Sequence, residues 1–258
     1  MLAFAWALTG CAGARTAAPQ KPPHSVPRAR QVLRAEIALA GETRRYIQSA
    51  PLAQSGRAPV VVVLHGGGMS GEGMRAYADL ESRSETSTIF VYPDAIVRNV
   101  WADEYALHWD SGRDLPFIDA MVSSLTGPGA GGDPKRVYVF GLSSGAYFAN
   151  QLGCAWGSRL AGFVAVEGGG PFGECGGPVN GMVVHDPDDQ VVPAAEGQGS
   201  LTRWLGAGAC GAESRPFGDM CKVHACSAGT RVVSCNARGG IHAIGPGVRE
   251  AALRFFGL

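Results

Sequence analysis

The sequence predicts an α/β fold: a doubly wound, mostly parallel sheet with an antiparallel N-terminal edge. Three observations predict it. From Pro59 onward, short apolar runs of strand length alternate with helical stretches, the pattern of strand–helix–strand units in a parallel sheet. Ahead of them, Val32 to Leu39 and Thr43 to Ser49 alternate in polarity on either side of Ala40-Gly41-Glu42, which reads as a hairpin at a sheet edge. In the middle, Val137 to Phe148 reads as a buried strand, a sharp turn carrying one serine, and the first turns of a helix.

The chain of 258 residues divides into three parts. Residues 1–11 form an apolar leader, too short to span a bilayer, ending in Leu8-Thr9-Gly10-Cys11. That ending resembles the lipobox of bacterial lipoproteins, which would make Cys11 an acylated membrane anchor. A plain secretory signal is the other reading, and both export the chain. Residues 12–31, with Pro19, Pro22, Pro23 and Pro27, suit an extended tether. Residues 32–258 suit one large α/β domain better than two small ones. Hydrophobic content of 46%, charged content of 17% and zero formal net charge exclude an electrostatic bias towards nucleic acid, and no basic patch with interleaved aromatics is present.

Within the domain the first buried strand, Val60 to Leu64, runs into His65-Gly66-Gly67-Gly68-Met69-Ser70. Small residues there leave backbone N–H groups free to point into a site, as a developing oxyanion requires. A phosphate-binding loop is the weaker reading, because neither G-x-G-x-x-G nor Gly-Lys-Ser/Thr occurs. Ile89 to Tyr92 is the next strand. An irregular aromatic section follows, in which Trp101, Tyr105 and Trp109 could line a cleft or simply cover the sheet edge. Helix Leu115 to Leu125 then leads into the central strand.

That strand ends in Gly141-Leu142-Ser143-Ser144-Gly145. Glycines two positions either side of Ser143 let strand and helix approach while the serine projects from a strained turn. Strands Phe163 to Val166 and Met182 to Val184 follow, the second opening onto His185-Asp186-Pro187-Asp188-Asp189. An acid just past a strand is where an imidazole-orienting carboxylate belongs in this architecture. After helix Ala194 to Leu205 and a cysteine-rich section comes strand Thr230 to Val233, and then His242 in a glycine-softened loop before helix Val248 to Phe256. Only His224 and His242 come after the acidic turn, and His224 lies on the wrong side of the last strand; His242 is the candidate base.

Six cysteines (Cys154, Cys175, Cys210, Cys221, Cys226 and Cys235) form an even set without C-x-x-C or zinc spacing, which points to disulfides and an oxidising compartment. Spacing alone permits about 15 pairings.

Together these stretches resemble the secreted esterases called the polyhydroxybutyrate depolymerase family, which includes feruloyl and acetylxylan esterases of the α/β-hydrolase fold. The likeness covers residues 32–258: Leu64-His65-Gly66-Gly67-Gly68, Gly141-Leu142-Ser143-Ser144-Gly145, Gly239-Gly240-Ile241-His242, and a degenerate acid motif ending in Val192-Pro193. The resemblance implies Ser143 as nucleophile, His242 as base and Asp189 as acid, with Asp188 the alternative because Asp186 and Pro187 depart from the family pattern. It implies an oxyanion hole from Gly66, Gly67, Gly68 and Ser144, an ester substrate on plant cell-wall polysaccharide or a polyester, and no cofactor or metal. It also implies pairing of Cys154 with Cys175, Cys210 with Cys226 and Cys221 with Cys235.

Overall fold

The computed structural model describes residues 29–99, 103–239 and 241–258, apart from the side chains of residues 97–108. The leader, Cys11 and most of the tether lie outside the described residues. In chain order the elements are β1 (Arg30–Leu39), β2 (Glu42–Pro51), β3 (Ala58–Leu64), α1 (Gly71–Ala78), β4 (Ile89–Pro93), β5 (Val97–Asn99), β6 (Asp103–His108), α2 (Ser111–Thr126) and β7 (Gly132–Leu142). They continue with α3 (Ser144–Trp156), β8 (Gly162–Val166), β9 (Gly181–His185), α4 (Ala194–Ala207), β10 (Cys210–Pro216), β11 (Cys221–Cys226), β12 (Arg231–Asn236) and α5 (Val248–Phe256).

Ten strands form one sheet in the order β1-β2-β4-β3-β7-β8-β9-β12-β11-β10. The six central strands, β4 to β12 in that order, are mutually parallel. Strands β3, β4, β8 and β9 are buried along their whole length, as expected of strands covered on both faces. Their side chains alternate between two layers. Val60, Val62 and Leu64 pack with Phe117 and Met121 of α2, Phe148 and Leu152 of α3 and Trp204 of α4. Val61 and Val63 pack with Met74 of α1 and Val248, Leu253 and Phe256 of α5.

Both edges of the sheet are antiparallel, whereas the sequence predicts only the N-terminal one. Strand β10 carries no apolar alternation and is mostly exposed, so its pattern does not read as a strand. Disulfides hold it instead. Cys210–Cys226 and Cys221–Cys235 each join residues directly opposite one another, across β10/β11 and β11/β12. With Cys154–Cys175, the three bonds are those implied by the family resemblance.

Three further differences have local causes. Strand β1 already includes Arg30 and Gln31, because the Arg30 guanidinium donates to Ser49 Oγ, to the Ser49 carbonyl and to the Thr88 carbonyl. Helix α1, with two glycines in eight residues, is held by its cap: Ser70 Oγ accepts from the Gly73 N–H at 3.2 Å. The section read as irregular contains a small antiparallel pair, β5 with β6. Helix α2 is fixed to β2 by a buried ion pair between Arg44 and Asp114, and the Arg44 guanidinium also lies 4.2 Å from the Phe117 ring centre. Among the described residues no helix is long and apolar enough to cross a membrane.

Candidate active site

The site lies at the carboxyl ends of β3, β7, β8 and β9, where ligands of open parallel sheets are met. Its centre is Ser143, between β7 and α3, with φ 54° and ψ −119°, a conformation costly for any residue but glycine. Surrounding bonds impose it: the Ser143 N–H donates to the Val166 carbonyl at 2.9 Å, and its own carbonyl accepts from Ala146 and Tyr147. The flanking glycines are required by contact. A Cβ on Gly141 would stand 2.1 Å from the Gly145 carbonyl oxygen, and one on Gly145 would stand 2.5 Å from that of Leu64.

The loop after β3 comes up against the serine; a Cβ on Gly66 would sit 3.5 Å from Ser143 Cβ. Gly68 adopts φ +75°, and the turn closes through Met69 N–H to the Gly66 carbonyl at 3.2 Å. His65 clamps this loop from beneath. Its Nδ1 lies 2.8 Å from the Gly66 carbonyl and its Nε2 accepts from the Ala95 N–H at 3.1 Å, which assigns the proton to Nδ1. Ser144 is the first residue of α3, so its N–H lacks an intrahelical partner and adds the positive end of the helix dipole.

Trp109 is placed differently from the cleft-lining expectation. Its indole N–H donates to the His65 carbonyl at 2.8 Å, and its ring stacks on Phe148 at 5.2 Å, so it braces the glycine loop from the core side. Trp101 and the side chain of Tyr105 lie outside the described residues.

The opposite bank carries the acid and the histidine. Asp189 Oδ2 accepts from His242 Nδ1 at 2.7 Å, and Oδ1 accepts from the N–H groups of Val191 and Val192 at 2.8 and 3.1 Å. Burial pushes the Asp189 carboxyl up, but these hydrogen bonds outweigh it and hold the group below its ordinary value. Asp188 is exposed, and it is the carboxylate of Asp189 that reaches the imidazole. With Nδ1–H committed to Asp189, His242 Nε2 carries the lone pair; it is buried and has no partner among the described residues. It shares a 200 Å³ cleft with Ser143, whose other walls are Gly66, Gly67, Met69, Tyr77 and Leu142. His224 lies away on β11, 3.0 Å from Ser234 Oγ. A larger concavity of 1050 Å³ between the β10–β11 turn and α5 contains none of these groups.

Two elements of the site were not anticipated from sequence. Tyr77, in α1, accepts from the Ile244 N–H at 3.0 Å and so ties the histidine loop to that helix. Glu167, the first residue after β8, is fully buried against the acid turn. Glu167, His185 and Asp189 bring one potential metal-ligating atom each within 4.8 Å, but both Asp189 oxygens are already engaged by His242 and the backbone. Only the left-handed backbone of Glu167, φ 54° in a Glu-Gly-Gly-Gly run, hints at it, and that is not visible in the letters.

This fold, with a serine on the strand-to-helix bend, an acid after a later strand and a histidine in the last loop, is that of the α/β-hydrolases. Solved structures agree. The chain superposes on an acetyl xylan esterase from Aspergillus awamori with a TM-score of 0.67 at 13% identity, covering 88% of this chain and 99% of that one. It superposes on esterase PE8 with a TM-score of 0.57 at 21% identity, covering 78% and 92%. In sequence it is 32% identical over 141 residues to "Putative esterase NocK" of Nocardia uniformis subsp. tsuyamanensis, covering 52% of this chain and 40% of that one. It is 29% identical over 147 residues to "Probable feruloyl esterase C" of Aspergillus niger, covering 55% and 50%. The matched stretch thus spans about half the length of these relatives or less. No family model matches the chain.

Proposed function

We propose that the protein is a serine carboxylic-ester hydrolase working through two-step acyl transfer. Ser143 Oγ, deprotonated by His242 Nε2, attacks the ester carbonyl while Asp189 holds the imidazole and stabilises its charged form. N–H groups of Ser144 and the Gly66–Gly68 loop receive the oxyanion. Water then releases the acid by the reverse proton path. The observation that carries this reading is the shared cleft: a serine held in a strained bend lines the same cleft as His242, whose Nε2 is partnerless among the described residues and whose Nδ1 lies 2.7 Å from a buried carboxylate.

The cleft is small beside typical ligand pockets of about 300 Å³ and more, which suits an acyl group with the alcohol portion left outside. Tyr147, one turn along α3, stacks on the exposed Phe172 with ring centres 6.1 Å apart and offers a flat apolar surface beyond the serine. Feruloyl or acetyl esters of plant cell-wall polysaccharide are therefore the proposed substrates, supported by the names of the relatives. A polyester or short-chain ester is the second reading, and an inactive scaffold serving as a surface binder the third. The three disulfides support a place outside the reducing cytoplasm, with acylation of Cys11 as the proposed anchor.

Assays on methyl ferulate, p-nitrophenyl acetate, acetylated xylan and polyhydroxybutyrate, with Ser143→Ala as control, test this. Hydrolysis of the first three, lost in the variant, is expected. Activity on polyhydroxybutyrate alone would overturn the substrate order, and no hydrolysis of any would favour the binder.

A further inference from the structure

Glu167 is an unusual residue in its place. It follows β8 in a left-handed conformation that glycine would adopt freely, and its side chain is fully buried. Its two carboxyl oxygens lie 3.1 and 3.0 Å from the Asp186 N–H, which donates to them. Its Oε2 is 3.6 Å from His185 Nε2, as is Asp189 Oδ2. His185 Nε2 in turn lies 3.0 Å from the Val192 carbonyl, so its proton points there rather than at either acid. The titratable groups facing Glu167 are thus Asp186 and His185 at the end of β9, Asp189 on the acid turn and, through Asp189, His242. Among the described residues no lysine or arginine pairs with it. The Glu167 and Asp189 carboxyls come within 4.8 Å of one another, and two buried carboxyls that close are not both ionised without a cation between them.

Resting on the triad reading above, we propose that Glu167 is a positioning residue: held as the neutral acid, it donates its hydroxyl proton to Asp189 and fixes that carboxylate towards His242. The proton sits on Glu167 rather than Asp189 because Asp189 has three other donors, one of them the imidazole, and Glu167 has one backbone N–H. Consistently, burial and the neighbouring Asp189 and Asp186 push the Glu167 carboxyl up to about 8, despite the Asp186 N–H. Above that pH a second negative charge appears beside Asp189 and the donated hydrogen bond is lost.

The test follows the His242 ring by NMR through a pH titration, alongside kcat and KM, in wild type, Glu167→Gln and Glu167→Leu. Glutamine keeps a donor to Asp189 and an acceptor for Asp186 N–H at every pH; leucine keeps neither. Wild type should show a second inflection of the His242 signals near pH 8 with a fall in kcat there, both absent in Glu167→Gln. Glu167→Leu should lose about ten- to hundredfold in kcat with KM little changed, and glutamine should restore it. Superimposable His242 titrations in wild type and Glu167→Gln would overturn the inference. Should Glu167→Leu fail to fold, the wild-type and glutamine titrations still decide. The NMR readout needs no turnover, so failure of the esterase reading shows separately, as absent hydrolysis by wild type.

Discussion

The two banks of the cleft are built by different physics. On the serine bank, position comes mainly from backbone contact: Gly141, Gly145 and Gly66 let three segments touch, with the buried His65 ring bracing the glycine loop from beneath. On the acid bank, position comes from hydrogen bonds to carboxylates: Asp189 holds His242 and is itself held by the Val191 and Val192 N–H groups, with the Glu167 carboxyl buried nearby on the Asp186 N–H. A contact-built bank fails when volume is added. A charge-built bank fails when a proton or a carboxylate is moved, and so depends on pH.

The largest expected effect separates the acids of the second bank. Asp189→Asn should lower kcat/KM by about 10⁴-fold, since the amide favours the wrong imidazole tautomer, while Asp188→Asn, at an exposed position, should change it by less than about threefold. Comparable losses in both would mean that the turn, not one carboxylate, orients His242.

Reduction of the disulfides probes a region outside both banks. They close separations of 21, 16 and 14 residues, each worth roughly 3 kcal/mol in the chain-entropy picture. Chemical denaturation with and without reductant should show a clear loss, most of all at the β10–β11 edge; an unchanged midpoint would count against the bonds.

On the serine bank, Gly145→Ala sets two effects against each other. Alanine gains about 1 kcal/mol in helix propensity, but its Cβ would meet the Leu64 and His65 carbonyls at 2.5 and 2.6 Å, an overpacking that costs about 1–3 kcal/mol and pries the glycine loop from Ser143. A lowered melting temperature with reduced kcat is expected; a stabilised, active variant would show that the segments of this bank do not touch as described.

A last effect is on stability against pH. The Glu167 carboxyl rises from an ordinary 4.5 to about 8 on folding. Its contribution is therefore fully present below about 4.5 and is lost as pH climbs through 8. Asp189, held low, acts in the opposite sense, its contribution lost as pH falls below the ordinary 3.8. Unfolding free energies between pH 5 and 9 should decline in wild type and flatten in Glu167→Gln.

The serine bank was legible in the sequence because contact of backbones demands glycine, and Gly141, Gly145 and the Gly66–Gly68 run announce it in letters. His242 and the acidic turn were legible from their order after the strands, while Asp189 within that turn came only from the family resemblance, with Asp188 as the alternative. Glu167 was not, because its meaning depends on burial beside Asp189, and a glutamate before three glycines looks like any turn. Trp109 carried an ambiguous signal: an aromatic in a loop suits a cleft wall or a cover for the sheet edge, and neither reading anticipates that its indole N–H donates to the His65 carbonyl. Strands β10 and β11 were hidden because cystines, not an apolar face, hold them.

The convergence of the two banks on one hydroxyl is tested most directly by a fluorophosphonate probe followed by mass spectrometry of the labelled peptide. One adduct per chain on Ser143, absent from Ser143→Ala and much slowed in His242→Ala, is the predicted result. Failure of the wild-type protein to label, or an adduct on another serine, would contradict it.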